Sequence, residues 1–114
     1  MGRRPGAVLI PACLALAAVQ TAAGQDAGRG ALLYEQRCGA CHSLDADRVG
    51  PRHRGVFGRP VGRVPGYAYS PALQAAQAVW TAANLDAWLA DPERLFPGQR
   101  MGYAVPLAAD RADI

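Results

Sequence analysis

Cys38-Gly39-Ala40-Cys41-His42 is the stretch on which the reading of this chain turns. Two thiols stand three positions apart, with an imidazole on the next residue. A dithiol redox site could use such a pair, but those sites sit within a strand-helix-strand pattern that is absent here. A zinc site would need a further pair of ligands, and His53 is the only other histidine. What remains is the C-x-x-C-H attachment signature of a c-type haem. Each thiol can add to one vinyl group of a single macrocycle while the adjacent imidazole is carried under the iron. The small residues Gly39 and Ala40 let the backbone lie close to the ring.

A six-coordinate iron needs a second axial ligand, and Met101 and His53 are the candidates. Met101 follows Pro97-Gly98-Gln99-Arg100 in a long loop, where a thioether could be held against iron. Histidine/methionine ligation raises the reduction potential. His53 lies eleven positions after His42 among flexible residues and otherwise reads as a loop or surface imidazole.

Around these residues the chain breaks into short helical patches. Asp26 caps a helix running up to Cys38, with Ala27, Ala31 and Tyr34 at helical spacing and Gly30 beside them. Residues 50 to 66 hold five glycines and three prolines, which excludes regular helix and central strand. Ser70-Pro71 is a helix start, and one or two turns are expected over Ala72 to Ala78. Thr81 starts another helix, with Leu85, Trp88 and Leu89 on one face, that Asp91-Pro92 ends. A turn over Pro92 to Phe96 precedes a loop from Pro97 to Pro106, and residues 110 to 114 begin a helix that the chain ends too soon to form. Loops this long in so small a domain need something to wrap around. The expectation is an all-α domain organised by a ligand.

Residues 1 to 24 read as a secretory leader: Arg3-Arg4, an apolar run from Ala7 to Val19, then Gln20-Thr21-Ala22-Ala23-Gly24, with cleavage after Ala23 or Gly24. The run is too short to span a bilayer. Cys13 falls inside it, so Cys38 and Cys41 are the cysteines of the mature chain. Without Arg3 and Arg4, ten arginines face nine acidic residues, a net charge near +1 that leaves no electrostatic footprint for nucleic acid. All twelve basic residues are arginine. Hydrophobic residues make up 51% of the chain, but 24 are alanines and aromatics only 7%, so little side-chain volume is available for a core.

From about Gly30 to Ile114 the chain resembles the class I c-type cytochromes, in the mitochondrial-like and bacterial cytochrome c2 branch. The resemblance is carried by Cys38 to His42, Gly50-Pro51, Gly58-Arg59, Pro65-Gly66-Tyr67, Tyr69-Ser70, Trp80, Asp91-Pro92 and Pro97 to Met101, in family order. It implies one haem c, covalent through Cys38 and Cys41, with His42 and Met101 as iron ligands. It also implies that the Pro51 carbonyl meets the proximal imidazole and that Arg59, Tyr69, Ser70 and Trp80 surround the propionates. Trp88 would be core or lie near the axial sulfur, and Tyr103 would sit at the haem edge.

The implied function is a soluble, monomeric, periplasmic one-electron carrier without enzymatic chemistry. Its partners would be redox proteins such as a cytochrome bc1-type complex, a terminal oxidase or a periplasmic dehydrogenase or reductase. Two departures stand against the family pattern. The family closes with a C-terminal helix crossing the N-terminal one at the positions of Gly30 and Tyr34, so the cytochrome domain, residues 25–114, is expected to be incomplete at its C-terminus, less stable and looser at Met101. Were Met101 released, the alternative is a five-coordinate haem protein, a small-ligand sensor or weak peroxidase. The family's lysines are also missing; Arg37, Arg52, Arg94 and Arg100 are the candidates to replace them, and Arg52, Arg54 and Arg63 form a basic loop that is either solvated or docks an acidic partner.

Overall fold

The computed structural model describes Met1, Gly2 and residues 24–114, so the expected leader falls almost wholly outside the described residues. Five helices follow: α1 (Ala27–Arg37), α2 (Pro71–Gln74), α3 (Ala82–Ala90), α4 (Pro92–Leu95) and α5 (Ala108–Asp113). Pro60 and Val79 form an isolated antiparallel bridge, and the described residues contain no longer strand. No described helix is long and apolar enough to cross a membrane.

Four of the helices begin where a side-chain oxygen accepts an otherwise unpaired backbone N–H. Asp26 accepts from Arg29 at 2.9 Å, Ser70 from Leu73 at 3.3 Å, Thr81 from Asn84 at 3.1 Å and Asp91 from Arg94 at 3.1 Å. α2 is shorter than the expected Ala72 to Ala78. Alanine favours helix, but beyond Gln74 the chain is drawn into long-range pairing: Val61 N–H donates to the Ala78 carbonyl, and Trp80 N–H to that of Arg59, both at 2.9 Å. Four glycines of the 50 to 66 segment take positive φ, as its turns require, whereas Gly50 does not.

Val61, Ala76, Trp80 and Trp88 form the buried cluster, with Leu73, Leu85, Leu89, Phe96 and Met101 packed on its margin. The Trp80 ring centroid lies 5.6 Å from that of Trp88 and 6.1 Å from that of Phe96. Val105 is fully buried, and its N–H donates to the Leu89 carbonyl at 2.7 Å, bringing the chain after Met101 back onto α3.

The expectation that no C-terminal helix forms is corrected. α5 has no side-chain cap, yet it packs on both α1 and α3. Its contact with α1 is ionic rather than apolar. Buried Asp110 receives Arg29 and, at 3.2 Å, Arg37; Asp113 receives Arg29 at 2.6 Å and the Asp26 backbone N–H at 2.9 Å. Arg111 binds Asp86 of α3 at 2.7 Å. Gly30 is the buried residue of α1, while Ala27 and Ala31, expected on its packing face, are exposed. A Cβ at Gly30 would lie 1.7 Å from the Asp113 carbonyl oxygen.

Two outcomes are expected. Gly30→Ala pushes α5 off α1, with a loss of about 1–3 kcal/mol typical of overpacking; a chemical denaturation midpoint equal to the parent's would refute that contact. The Asp26 N–H, then Arg29, hold the Asp113 carboxyl below the usual carboxylate range. A carboxyl depressed in the folded state contributes stability above its unfolded value of about 3.9, and that contribution is lost as pH falls. Below about pH 4 the melting temperature of the parent should therefore fall more steeply than that of Asp113→Asn, as thermal melts across pH would show.

Candidate functional site

α1 ends at Cys38, whose N–H donates to the Tyr34 carbonyl at 2.8 Å. The next turn closes as Cys41 and His42 N–H groups donate to the Cys38 carbonyl at 3.1 and 2.8 Å. One tight turn thus carries all three side chains of the motif. Both cysteines are free thiols, Cys38 half-buried and Cys41 exposed. Burial pushes the Cys38 thiol up, opposed by Arg37 and reinforced by Cys41.

The His42 ring is held by its surroundings. Its Nδ1 lies 2.8 Å from the Pro51 carbonyl oxygen. A carbonyl only accepts, so Nδ1 carries the proton and Nε2 keeps its lone pair for a metal. Gly50 closes against the same ring: a Cβ there would lie 2.0 Å from His42 Cε1. The Gly50 N–H donates to the Cys41 carbonyl at 2.8 Å, tying this loop to the motif.

His53 is neither a surface group nor a second axial ligand in this arrangement. It stacks on His42, ring centroids 4.0 Å apart and planes 22° apart, and its Nδ1 is hydrogen-bonded to the Tyr34 hydroxyl at 3.0 Å. Two rings stacked face to face cannot lie on opposite faces of one macrocycle. Burial, then the charges of His42 and Arg59, push the His53 imidazole down to about 4, so it is neutral at pH 7.

The remaining sequence-derived residues lie on two connected segments. Arg59 and Trp80 are joined by backbone pairing, and the Arg59 guanidinium donates to the Arg52 carbonyl at 3.0 Å. Tyr69 and Ser70 are buried at the entry to α2. Both hydroxyls act as acceptors, Tyr69 from Val64 N–H at 3.1 Å and Ser70 from Leu73 N–H. Their own hydrogens, like the Trp80 indole N–H, are therefore free to meet an acidic group. Trp88 is core, in the cluster against which half-buried Met101 packs. Tyr103 is exposed.

Met101 sits in a loop gripped by a residue the sequence did not single out. The Glu93 carboxylate accepts from Gly98 N–H at 2.8 Å and from the Gln99 amide at 3.1 Å, and Gln99 in turn accepts from Gly102 N–H at 2.9 Å. The Met101 backbone is thereby suspended between two anchored glycines.

Residues 27–113 match the family model described as Cytochrome c. The chain belongs to the cytochrome c family. It is 44% identical over 92 residues to a cytochrome c of Euglena viridis, covering 78% of this chain and 90% of that protein. With the cytochrome c-type cyt cy of Rhodobacter capsulatus it shares 38% identity over 91 residues, 78% of this chain but 46% of the relative. Among solved structures, cytochrome cH from Methylobacterium extorquens superposes with a TM-score of 0.73 at 36% identity, covering 77% of this chain and 91% of that one. As a cytochrome c, the protein binds one covalent haem c and carries electrons.

The residues fit such a group: two free thiols on one turn, an imidazole with its Nε2 unengaged, a half-buried thioether, and hydroxyls with spare hydrogens for carboxylates. Glu93→Ala removes both carboxylate anchors of the Met101 loop. Hydrogen bonds to an exposed charged group are worth on the order of 1 kcal/mol, so amide exchange at Gly98 should speed up roughly fivefold. An unchanged exchange rate would show that the loop is held by packing alone.

Proposed function

We propose that Cys38 and Cys41 hold the haem of this cytochrome c as thioethers, that His42 and Met101 are its iron ligands, and that the protein is a soluble periplasmic carrier of single electrons. The observation that carries this reading is the His42 to Pro51 hydrogen bond, which leaves Nε2 as the metal-facing atom beside two free thiols. When bound there, the haem supplies an iron that accepts and releases one electron. The chain supplies the rest. Cys38 and Cys41 would hold the haem through their thiols, each S–H adding across one vinyl double bond. Pro51 keeps the His42 imidazole basic toward iron. Met101 contributes a soft donor that raises the reduction potential. Arg59, with Tyr69, Ser70 and Trp80 as donors, offsets the cost of placing carboxylates against the core.

Were His42 and Met101 both to hold the iron, no position would remain there for a substrate, which favours a carrier over an enzyme. The apolar leader, removed after Ala23 or Gly24, fits export to the compartment where c-type haem is attached. Partners would be redox proteins of the bc1-type, terminal oxidase or periplasmic dehydrogenase and reductase classes, meeting a monomer. The docking surface is narrower than the arginine count implies. Arg52 is paired with Asp47 at 3.1 Å, Arg54 with Asp45 at 2.5 Å and Arg37 with Asp110. Exposed Arg94 and Arg100, beside the Met101 loop, have no ion pair among the described residues and, with exposed Arg48 and Arg63, which bond only backbone carbonyls, are the groups available to an acidic partner.

One optical series tests the ligation. The ferric holoprotein should show the methionine-to-iron charge-transfer band, and the reduced spectrum should not move under carbon monoxide, whereas Met101→Ala should bind it. A carbon monoxide shift in the parent would remove Met101 from the sixth position.

A further inference from the structure

The Tyr34–His53 pair lies outside every role assigned so far. Tyr34 is on α1, one turn before the first thiol; His53 is on the glycine-rich loop two residues after Pro51. The fold brings them together at 3.0 Å between Tyr34 Oη and His53 Nδ1, and lays the His53 ring on that of His42. Tyr34 also meets His53 edge-on, with centroids 5.7 Å apart and planes at 65°. His53 is thus fixed from one side by a hydrogen bond and an aromatic edge, and presents its flat face to the proximal imidazole.

We propose that His53, braced by Tyr34, is a positioning residue that sets the rotation of the His42 imidazole about its Cβ–Cγ bond, and with it the orientation of the ligand plane over the haem. The Pro51 carbonyl fixes one nitrogen and Gly50 crowds Cε1, but a single hydrogen bond to a ring nitrogen leaves the ring able to pivot about that contact. A second flat surface parallel to the ring removes the pivot, because rotating one ring drives its edge into the other. Tyr34 makes the surface rigid: its side chain grows from the same helix end that carries Cys38, so the brace and the haem attachment move together. In ferric haem the plane of an axial imidazole directs how unpaired spin spreads over the porphyrin. Its orientation can therefore be read without any assay of electron transfer. The inference rests on His42 being the proximal ligand.

The test uses ferric holoprotein and proton NMR of the haem methyl groups, with the midpoint potential measured alongside. Tyr34→Phe removes only the hydroxyl; His53→Leu removes the flat ring. Both should change the spread of the haem-methyl shifts, and both should move the potential in the same direction. His53→Phe, which keeps a flat ring in place of the imidazole, should return the shifts of His53→Leu toward those of the parent. A purely structural role would lower the melting temperature and leave the methyl shifts alone. Unchanged shifts in both Tyr34→Phe and His53→Leu, with imidazole ligation intact, would overturn this inference while leaving the ligand assignment standing. If His42→Ala retained the parent's low-spin ferric spectrum, the ligand assignment would fail and this inference with it.

Discussion

The hydrogen bond between His42 and the Pro51 carbonyl joins the two halves of the molecule that chemistry requires to be adjacent. One half is the helix end and turn that carries the thiols; the other is a glycine- and proline-rich loop with no regular structure of its own. A loop without helix or strand keeps its shape through contacts with side chains, and here those contacts converge on one imidazole. Gly50 closes on its edge, the Pro51 carbonyl accepts its Nδ1–H, His53 lies on its face, and the Ser43 and Leu44 carbonyls accept the N–H groups of His53 and Arg54 at 3.0 and 2.9 Å. The loop organises the ligand, and the ligand organises the loop.

The rest of the fold works with little apolar volume. The central cluster of buried residues has two tryptophans, one valine and one alanine, and much of the remaining packing is at its margin. Such a core is small for a domain of this length, where stabilisation from a cofactor or other staple is commonly needed. A bound haem would add flat apolar surface where the chain supplies little. The same economy explains the polar helix seams: α5 is held by arginine and aspartate, not by interlocking large side chains.

What could be read from sequence divides along the line between local and long-range causes. Asp26, Ser70, Thr81 and Asp91 announce their helices because a cap acts within three residues. The attachment motif stands out by its thiol spacing, and Met101 is proposed as second ligand because it is the methionine outside the expected leader. Pro51, Arg59, Tyr69, Ser70 and Trp80 came from family resemblance, since nothing local marks them. The stretch from Ala75 to Ala78 misled because its composition favours helix while the partner of Ala78, Val61, lies seventeen residues earlier in the chain. α5 was hidden for a related reason: Leu107 gives it no cap, and its support comes from Arg29 and Arg37, about eighty residues away. The place of His53 was not legible because a ring stacked on another ring eleven positions away has no sequence pattern, and Glu93 carries no signal because its partners, the Gly98 N–H and the Gln99 amide, follow no motif.

The polar seam between α1 and α5 also bears on the chain before its haem is in place. A polypeptide awaiting a covalent cofactor spends time only partly folded, and partly folded chains usually associate through exposed apolar faces. Here the surfaces that come together at the seam are a glycine, arginines and aspartates. While apart, their charged members present to water, and to neighbouring copies, groups that hydrate well. The contact that closes the fold is thus one that can wait open in a crowded compartment without drawing chains into aggregates.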